Sequence, residues 1–216
     1  MKGAHTIRAG RRAPLDQPTG AQTRPHPRPP PGPPRPGFSI VEMTVVLAIA
    51  AILLAIAAPD LSALIRQQQL KSASGDLFAA LGMARSQALA RGEVVKLLPR
   101  DPAGADWRRG WRVFIDRDGD GQPGPGDELL AEHGPLPAGV AVDFAFTSPA
   151  PPYYIAYNGA GRSCKDSNSA AARYGTLSLF HGSAIRRIKI NMLGRARSCD
   201  PARDGACEGA QAPPPA

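Results

Sequence analysis

The pattern of apolar and polar residues changes sharply at residue 38. From Phe38 to Ala58 nearly every residue is apolar, Glu42 is the single charged residue, and neither glycine nor proline interrupts the run. A helix of 21 residues is about 30 Å long, which matches the hydrocarbon thickness of a bilayer. Segment 38–58 is therefore predicted to be a transmembrane helix.

After Pro59 the apolar residues recur at every third or fourth position, and charged residues fall mostly between them. This spacing predicts that segment 59–92 is an amphipathic helix with one side packed on the rest of the chain. Gly92 is a suitable residue to end it. The predicted apolar stripe consists of Leu61, Leu64, Ile65, Ala73, Leu77, Leu81, Ala84 and Ala88.

Residues 93–199 consist of short runs of β-branched and aromatic residues separated by Gly, Pro and Asp, a pattern typical of strands and turns. The sequence thus predicts an α+β fold: a long N-terminal helix, transmembrane and then amphipathic, packed on an antiparallel β-sheet domain. Residues 200–216 are predicted to be a flexible tail. Seven strands are predicted, at residues 94–98, 110–116, 128–132, 140–146, 153–157, 175–180 and 185–192.

The net charge describes the N-terminal segment more than the β-domain. Of the formal +8 of the whole chain, +6 comes from residues 1–37, which hold seven basic residues and one acidic residue. This segment is rich in proline, which fixes φ and removes backbone donors, so it is predicted to be extended and solvated. A basic flank before the apolar run, with none immediately after it, predicts that the N-terminus is in the cytoplasm and the β-domain on the other side of the membrane.

The junction of these two segments resembles a known processing site. Gly37-Phe38-Ser39-Ile40-Val41-Glu42 is similar to the cleavage site of type IV prepilins and type II secretion pseudopilins. The resemblance implies that residues 1–37 are a leader, that a prepilin peptidase cuts between Gly37 and Phe38, and that Phe38 is then N-methylated. It also implies that Glu42 acts in assembly and that Pro59 kinks the helix.

The resemblance gives the isolated acid a partner. A carboxylate in hydrocarbon costs about 2.5 kcal/mol or more. Cleavage creates an ammonium at Phe38, and in a filament the Glu42 carboxylate of one subunit can pair with the ammonium of its neighbour. Two alternatives stay open: a plain single-pass anchor, and a signal peptide that ends at Ala55-Ile56-Ala57 and releases a secreted protein that starts at Ala58.

Three further segments, residues 84–88, 107–116 and 188–197, resemble the GspH/FimT subfamily of minor pilins and pseudopilins. This implies a single-pass protein of the inner membrane that later joins a pilus or pseudopilus together with other major and minor pilins or pseudopilins. The leading hypothesis is a minor type IV pilin that is incorporated into the pilus or primes its assembly. The alternatives are a tip pseudopilin of a type II protein secretion system and a secreted calcium-binding module.

Gly194-Arg195-Ala196-Arg197 resembles a FimT-type motif that is associated with DNA binding in natural transformation. On an extended segment two residues flanking a third lie on the same side. Together with Arg187 and Lys189, the two arginines are candidates to contact DNA phosphates without reading bases. The alternative is a solvated basic face without a ligand.

Four aspartates resemble part of an EF-hand loop. Asp116, Asp118, Asp120 and Asp127 stand at positions 1, 3, 5 and 12 of such a loop, although position 12 usually holds Glu. Calcium is thus a candidate ligand, and a metal-free hairpin turn is the alternative. The predicted function itself requires no cofactor.

Three cysteines, Cys164, Cys199 and Cys207, favour one oxidised pair in the periplasm. Cys164–Cys199 is the predicted disulfide, because it would tie a loop to the last strand, and Cys199–Cys207 is the alternative. No enzyme is predicted: Ser183 near His181 lacks a nucleophile elbow, and neither an HExxH motif nor a P-loop occurs.

Overall fold

The computed structural model describes residues 37–214, except for the side chains of residues 56–60. The predicted leader therefore lies, apart from Gly37, outside the described residues. Contacts divide the described residues into two units, with the boundary between Leu47 and Ala48. A single α-helix, α1, runs over Ile40–Arg91.

The start of α1 is capped by Ser39. Its hydroxyl oxygen accepts a hydrogen bond from the backbone N–H of Val41 at 3.2 Å, and its carbonyl accepts one from Met43 at 3.1 Å. Serine is among the preferred residues for this position because its side chain satisfies a backbone donor that has no partner within the helix.

Among the described residues, no helix combines the length and the mean hydropathy that a membrane span requires.

The later turns of α1 form one side of the core, as the spacing predicts. Gly92 then ends the helix with a φ of +71°, and its N–H bonds to the carbonyl of Ala88. The first part of the predicted stripe is wrong, because Leu61, Leu64 and Ile65 are about half exposed. The buried helix residues are Leu70, Ala73, Leu77, Leu81, Ala84 and Ala88.

Nine strands make two antiparallel sheets in the described part of the chain. The strands are β1 (Val95–Pro99), β2 (Trp111–Ile115), β3 (Glu128–His133), β4 (Val140–Phe146), β5 (Ile155–Tyr157), β6 (Ser163–Cys164), β7 (Gly175–His181), β8 (Ala184–Ile190) and β9 (Ala196–Cys199). The first sheet has the order β3-β2-β1-β5-β6, and the second has the order β4-β7-β8-β9.

The predicted α+β fold class is confirmed. The seven predicted strands all occur, with ends shifted by up to two residues, whereas β6 and β9 were not predicted. The inner faces of both sheets pack on the buried residues of α1 in one core. Leu97 and Val113 come from the first sheet, and Leu177 and Ile188 from the second.

The Trp-x-x-Gly-Trp element depends on its glycine. Trp107 begins a short 3-10 helix, and Trp111 begins β2 and stacks on His133 with ring centroids 4.1 Å apart. Between them Gly110 has a φ of +89°, and a Cβ there would lie 2.1 Å from the carbonyl oxygen of His133. Because glycine has no side chain, the backbone of Gly110 can approach β3 this closely. Both tryptophans beside it are buried.

Candidate functional site

The N-terminal motif places Glu42 in the first turn of α1. Gly37 and Phe38 precede the helix, and Phe38 is 78% exposed. A carboxylate in the first turn is favoured by the positive end of the helix dipole. Within residues 37–214 the carboxylate of Glu42 has no hydrogen-bond or ion-pair partner. Pro59 lies within α1, and a kink there stays a prediction.

The outer face of the second sheet is built by strand register. Residues opposite each other in antiparallel strands share a face. Since Leu177 and Ile188 face the core, the alternate positions of β7, β8 and β9 face outwards. Two rows result on this outer face: Thr176, Lys189 and Arg197 form one, and Ser178, Arg187 and Cys199 form the other.

Arg187 is buried beneath the C-terminal segment, which we define as residues 200–214. Its side chain is fully buried, and its guanidinium donates hydrogen bonds to the carbonyls of Cys207 and Ala210. At Gly209 a Cβ would lie 2.7 Å from Nε of Arg187. The prediction that Arg187 contacts DNA is therefore wrong: its planar fork of donors holds the C-terminal segment on the sheet.

The disulfide joins Cys199 to Cys207, eight residues apart, and Cys164 is a buried free thiol. The predicted Cys164–Cys199 bond is wrong because the two residues lie in different sheets. Cys164 is in β6 of the first sheet among apolar residues, whereas Cys199 shares the outer face of the second sheet with Arg187. Burial raises the pKa of the Cys164 thiol to about 11.

The C-terminal segment is therefore not the flexible tail that the sequence predicts. The disulfide and the bonds to Arg187 hold residues 207–210, and Asp204 forms an ion pair with Arg197 at 3.0 Å. Further along, Pro213 and Pro214 line a groove of about 470 Å³ together with Asp143 and Phe144 of β4. The segment thus crosses the second sheet from β9 towards β4.

One part of the outer face stays open. It is a groove of about 550 Å³ lined by Tyr174, Gly175, Thr176, Lys189, Ile190, Asn191, Arg195, Ala196 and Arg197. Lys189 donates to the carbonyl of Ala206 at 3.3 Å, and Arg197 stays 54% exposed despite its ion pair. Arg195 is exposed, and its guanidinium has no partner within residues 37–214. Three of the four predicted cations are thus brought together.

The glycine of the Gly-Arg-x-Arg motif has a structural role. Gly194 has a φ of +76°, and a Cβ there would lie 2.2 Å from the carbonyl oxygen of Gly161. Arg85 of α1 fixes the same loop, since its Nε donates to the Gly161 carbonyl at 2.9 Å. The turn that presents Arg195 is therefore packed against the loop around Gly161.

The four aspartates of the predicted calcium loop do come together. One oxygen from each of Asp116, Asp118, Asp120 and Asp127 lies within 4.8 Å of the others, and oxygen ligands suit calcium. Asp116 also forms a buried ion pair with Lys96 at 3.1 Å, so part of its charge is already balanced. Calcium binding stays a prediction. A calcium-dependent rise in melting temperature that Asp118→Asn abolishes would identify a metal site, and no rise would identify a metal-free turn.

The carboxyl of Asp127 is held by the backbone of its own loop. Burial raises its pKa, but the N–H groups of Arg117 and Gly124 donate to its two oxygens, and the net effect is a lowered pKa. The loop is thus ordered by its own hydrogen bonds, which agrees with either alternative for the aspartates.

Sequence reasoning missed Tyr174, Asp204 and Cys207 as members of this face. Tyr174 directly precedes a predicted strand, but nothing in the neighbouring sequence indicates that its ring is exposed. Asp204 and Cys207 belong to a segment without periodicity, so only the tertiary path shows that they reach the sheet.

A long N-terminal helix, in whose first turn Glu42 has no partner within residues 37–214, and two antiparallel sheets define a pilin-like protein. A family model described as "Type II transport protein GspH" matches residues 73–194, and one described as "Prokaryotic N-terminal methylation motif" matches residues 34–58. The chain therefore belongs to the GspH/FimT family of minor pilins and pseudopilins.

Similar solved structures include the type IV minor pilin FimU of Pseudomonas aeruginosa in two crystal forms. They share 19% and 18% identity, with TM-scores of 0.44 and 0.45, and cover 61% and 62% of this chain and 88% and 94% of FimU. The minor pseudopilin EpsH from the type 2 secretion system of Vibrio cholerae shares 17% identity, with a TM-score of 0.44, over 62% of this chain and 98% of EpsH. No curated relative matches the sequence closely enough to add to these findings.

Proposed function

We propose that this chain is a minor type IV pilin that is incorporated into a pilus or primes its assembly. A prepilin peptidase cleaves between Gly37 and Phe38, Phe38 is N-methylated, and segment 38–58 anchors the protein in the inner membrane until it joins other pilins. The methylation motif at residues 34–58 supports the processing step.

The observation that carries the proposal is a free acid on an exposed apolar helix. A carboxylate without a partner is unfavourable among apolar groups. A large set of exposed apolar side chains must also be shielded from water, first by lipid and then by neighbouring helices. The ammonium of a neighbouring Phe38 supplies the missing charge for Glu42. The exposed large apolar side chains between residues 38 and 54 are Phe38, Ile40, Val41, Met43, Val45, Val46, Leu47, Ile49, Ile52, Leu53 and Leu54.

Two measurements test this proposal. Mass spectrometry of the mature protein is expected to find an N-terminal N-methyl-Phe38, and a start at Ala58 would instead indicate a secreted protein. Glu42→Ala is expected to remove the protein from sheared pili while its amount in the membrane is unchanged. Glu208→Ala is the control, because Glu208 is also an exposed acid without a partner in the described residues. Normal incorporation of Glu42→Ala would contradict the proposal.

We also infer that the open groove contacts DNA phosphates through Lys189, Arg195 and Arg197. Two observations support it: the three cations share one groove, and among residues 37–214 Asp204 is the one acid that forms an ion pair with any of them. Neutralising about three phosphates predicts that log K falls against log salt with a slope of about −2 to −3.

The test replaces Arg195 and Arg197 by alanine together. DNA binding is expected to be lost while piliation is retained, because neither side chain is in the helix. Arg109→Ala is the control, since Arg109 is an exposed arginine outside the groove. Unchanged binding by the double variant would contradict the DNA contact and leave the pilin assignment intact.

The second candidate function is a tip pseudopilin of a type II secretion system. The description of the matching family model favours it, and such a protein would engage exported proteins instead of DNA. Deletion of the gene separates the two: loss of pili with normal protein export supports the pilin, and loss of export with normal pili supports the pseudopilin.

A further inference from the structure

One aromatic side chain lies open beside the cations of the outer face. Tyr174 directly precedes β7, is 38% exposed, and lines the same groove as Lys189, Arg195 and Arg197. Its backbone pairs with Thr147. Its ring and hydroxyl, however, have no hydrogen-bond, aromatic or cation partner in the described part of the chain. A large amphipathic ring is therefore available to a ligand.

Strand register puts Tyr174 and Arg195 in one row across the sheet, next to the row that contains Arg197. Gly175 pairs with Ile190, and Ile190 pairs with Ala196, so Tyr174 and Arg195 flank the same end of the sheet. They are two strand spacings apart, or about 10 Å. One nucleic-acid strand can bridge this separation, with a base on the ring and its phosphates on the arginines.

We propose that Tyr174 is a base-stacking residue and that the groove takes single-stranded DNA in preference to duplex. This inference rests on the proposed contact of the groove with DNA. Proteins that bind single strands combine a cationic groove with aromatic side chains on which bases stack. In a duplex the base faces are already stacked on each other, and exposing one costs a few kcal/mol. A duplex therefore uses only the cations.

The groove has the features of sequence-independent binding. Every base has a π-face, so a stacked tyrosine tolerates all four bases. Lys189 and Arg197 share their donors with the C-terminal segment, whereas Arg195 is unpaired within residues 37–214. Arg195 is therefore the cation most available to a phosphate next to the stacked base.

The test compares three probes on the full chain in a neutral detergent. The probes are a fluorescent oligothymidine, an abasic strand of the same length, and a duplex of the same length. Tyr174→Ala is expected to weaken binding of oligothymidine about tenfold, in the range of one stacked base, and to leave the abasic strand unaffected. Tyr174→Phe keeps the ring and is expected to bind like the wild type, which also controls for folding.

Each outcome has a distinct meaning. Selective loss of oligothymidine binding in Tyr174→Ala, with weaker duplex binding by the wild type, supports the inference. A second outcome is that oligothymidine and the abasic strand bind equally, that Tyr174→Ala does not change this, and that the Arg195→Ala/Arg197→Ala variant loses binding. This outcome overturns the stacking role but still supports the phosphate contact. No binding of any probe by the wild type overturns both.

Discussion

The disulfide that ties the C-terminal segment to β9 makes a quantitative prediction. Replacing Cys199 and Cys207 together by serine opens a loop whose ends are eight residues apart. The chain-entropy relation gives a loss of about 2.5 kcal/mol in the free energy of unfolding for a loop of this length. In a protein of this size that loss lowers the melting temperature by about 5–10 °C.

The assay is thermal unfolding of the full chain in detergent, combined with limited proteolysis. The double serine variant is expected to melt lower and to be cleaved first within residues 200–210. Asp204→Asn is the matched control, because it removes the exposed ion pair with Arg197 and leaves the disulfide intact. Exposed pairs contribute about 1 kcal/mol or less, so this variant is expected to melt within a few degrees of the wild type.

Arg187 holds the same segment through its hydrogen bonds to the carbonyls of Cys207 and Ala210. Hydrogen bonds to a charged donor contribute about 1.5–3 kcal/mol each, so Arg187→Met, which removes two of them, is expected to destabilise the protein. Because Arg187 and the disulfide hold the same segment, the two losses should be less than additive. Strictly additive losses, or an unchanged melting temperature in the double serine variant, would refute the view that they hold one segment together.

Three further predictions concern single residues. Burial raises the pKa of Asp143, so the folded state binds the proton of this carboxyl more tightly than the unfolded state does. The free energy of unfolding therefore falls as pH rises through the titration of Asp143. Asp143→Asn should melt at a higher temperature than the wild type near neutral pH and at the same temperature at low pH. Cys164, whose pKa is raised to about 11, should resist iodoacetamide at pH 8 until the protein unfolds, and rapid labelling of the folded state would contradict its burial. Gly110→Ala should lower the melting temperature by several degrees, because its Cβ would overlap the His133 carbonyl, and an unchanged value would mean that β3 can shift.

Much of the fold is predictable because its signals are local. The buried residues of α1 from Ala73 to Ala88 follow helical spacing, and the seven predicted strands have runs of apolar residues long enough to detect. β6 has two residues, and β9 has the sequence Ala-Arg-Ser-Cys without apolar alternation, so neither carries such a signal. Leu61, Leu64 and Ile65 follow the helical pattern, but the core begins only at Leu70.

The candidate site is only partly predictable for a different reason. The Gly-Arg-x-Arg motif and strand alternation correctly indicate that Lys189, Arg195 and Arg197 share a face. Alternation alone places Arg187 on that face too, but it cannot show that a later segment covers it. The disulfide depends on that same path, because Cys207 reaches the sheet only when the chain folds back over β8.

The route of the C-terminal segment also matters for how the protein is handled. Its last described residues, Pro213 and Pro214, lie beside Asp143 and Phe144 at the edge strand β4. A label inserted after Pro214 would lie beside that edge strand, two strands away from Lys189 in β8. Such a label is therefore expected to leave Arg195 and Arg197 as exposed to solvent as they are in the unlabelled protein.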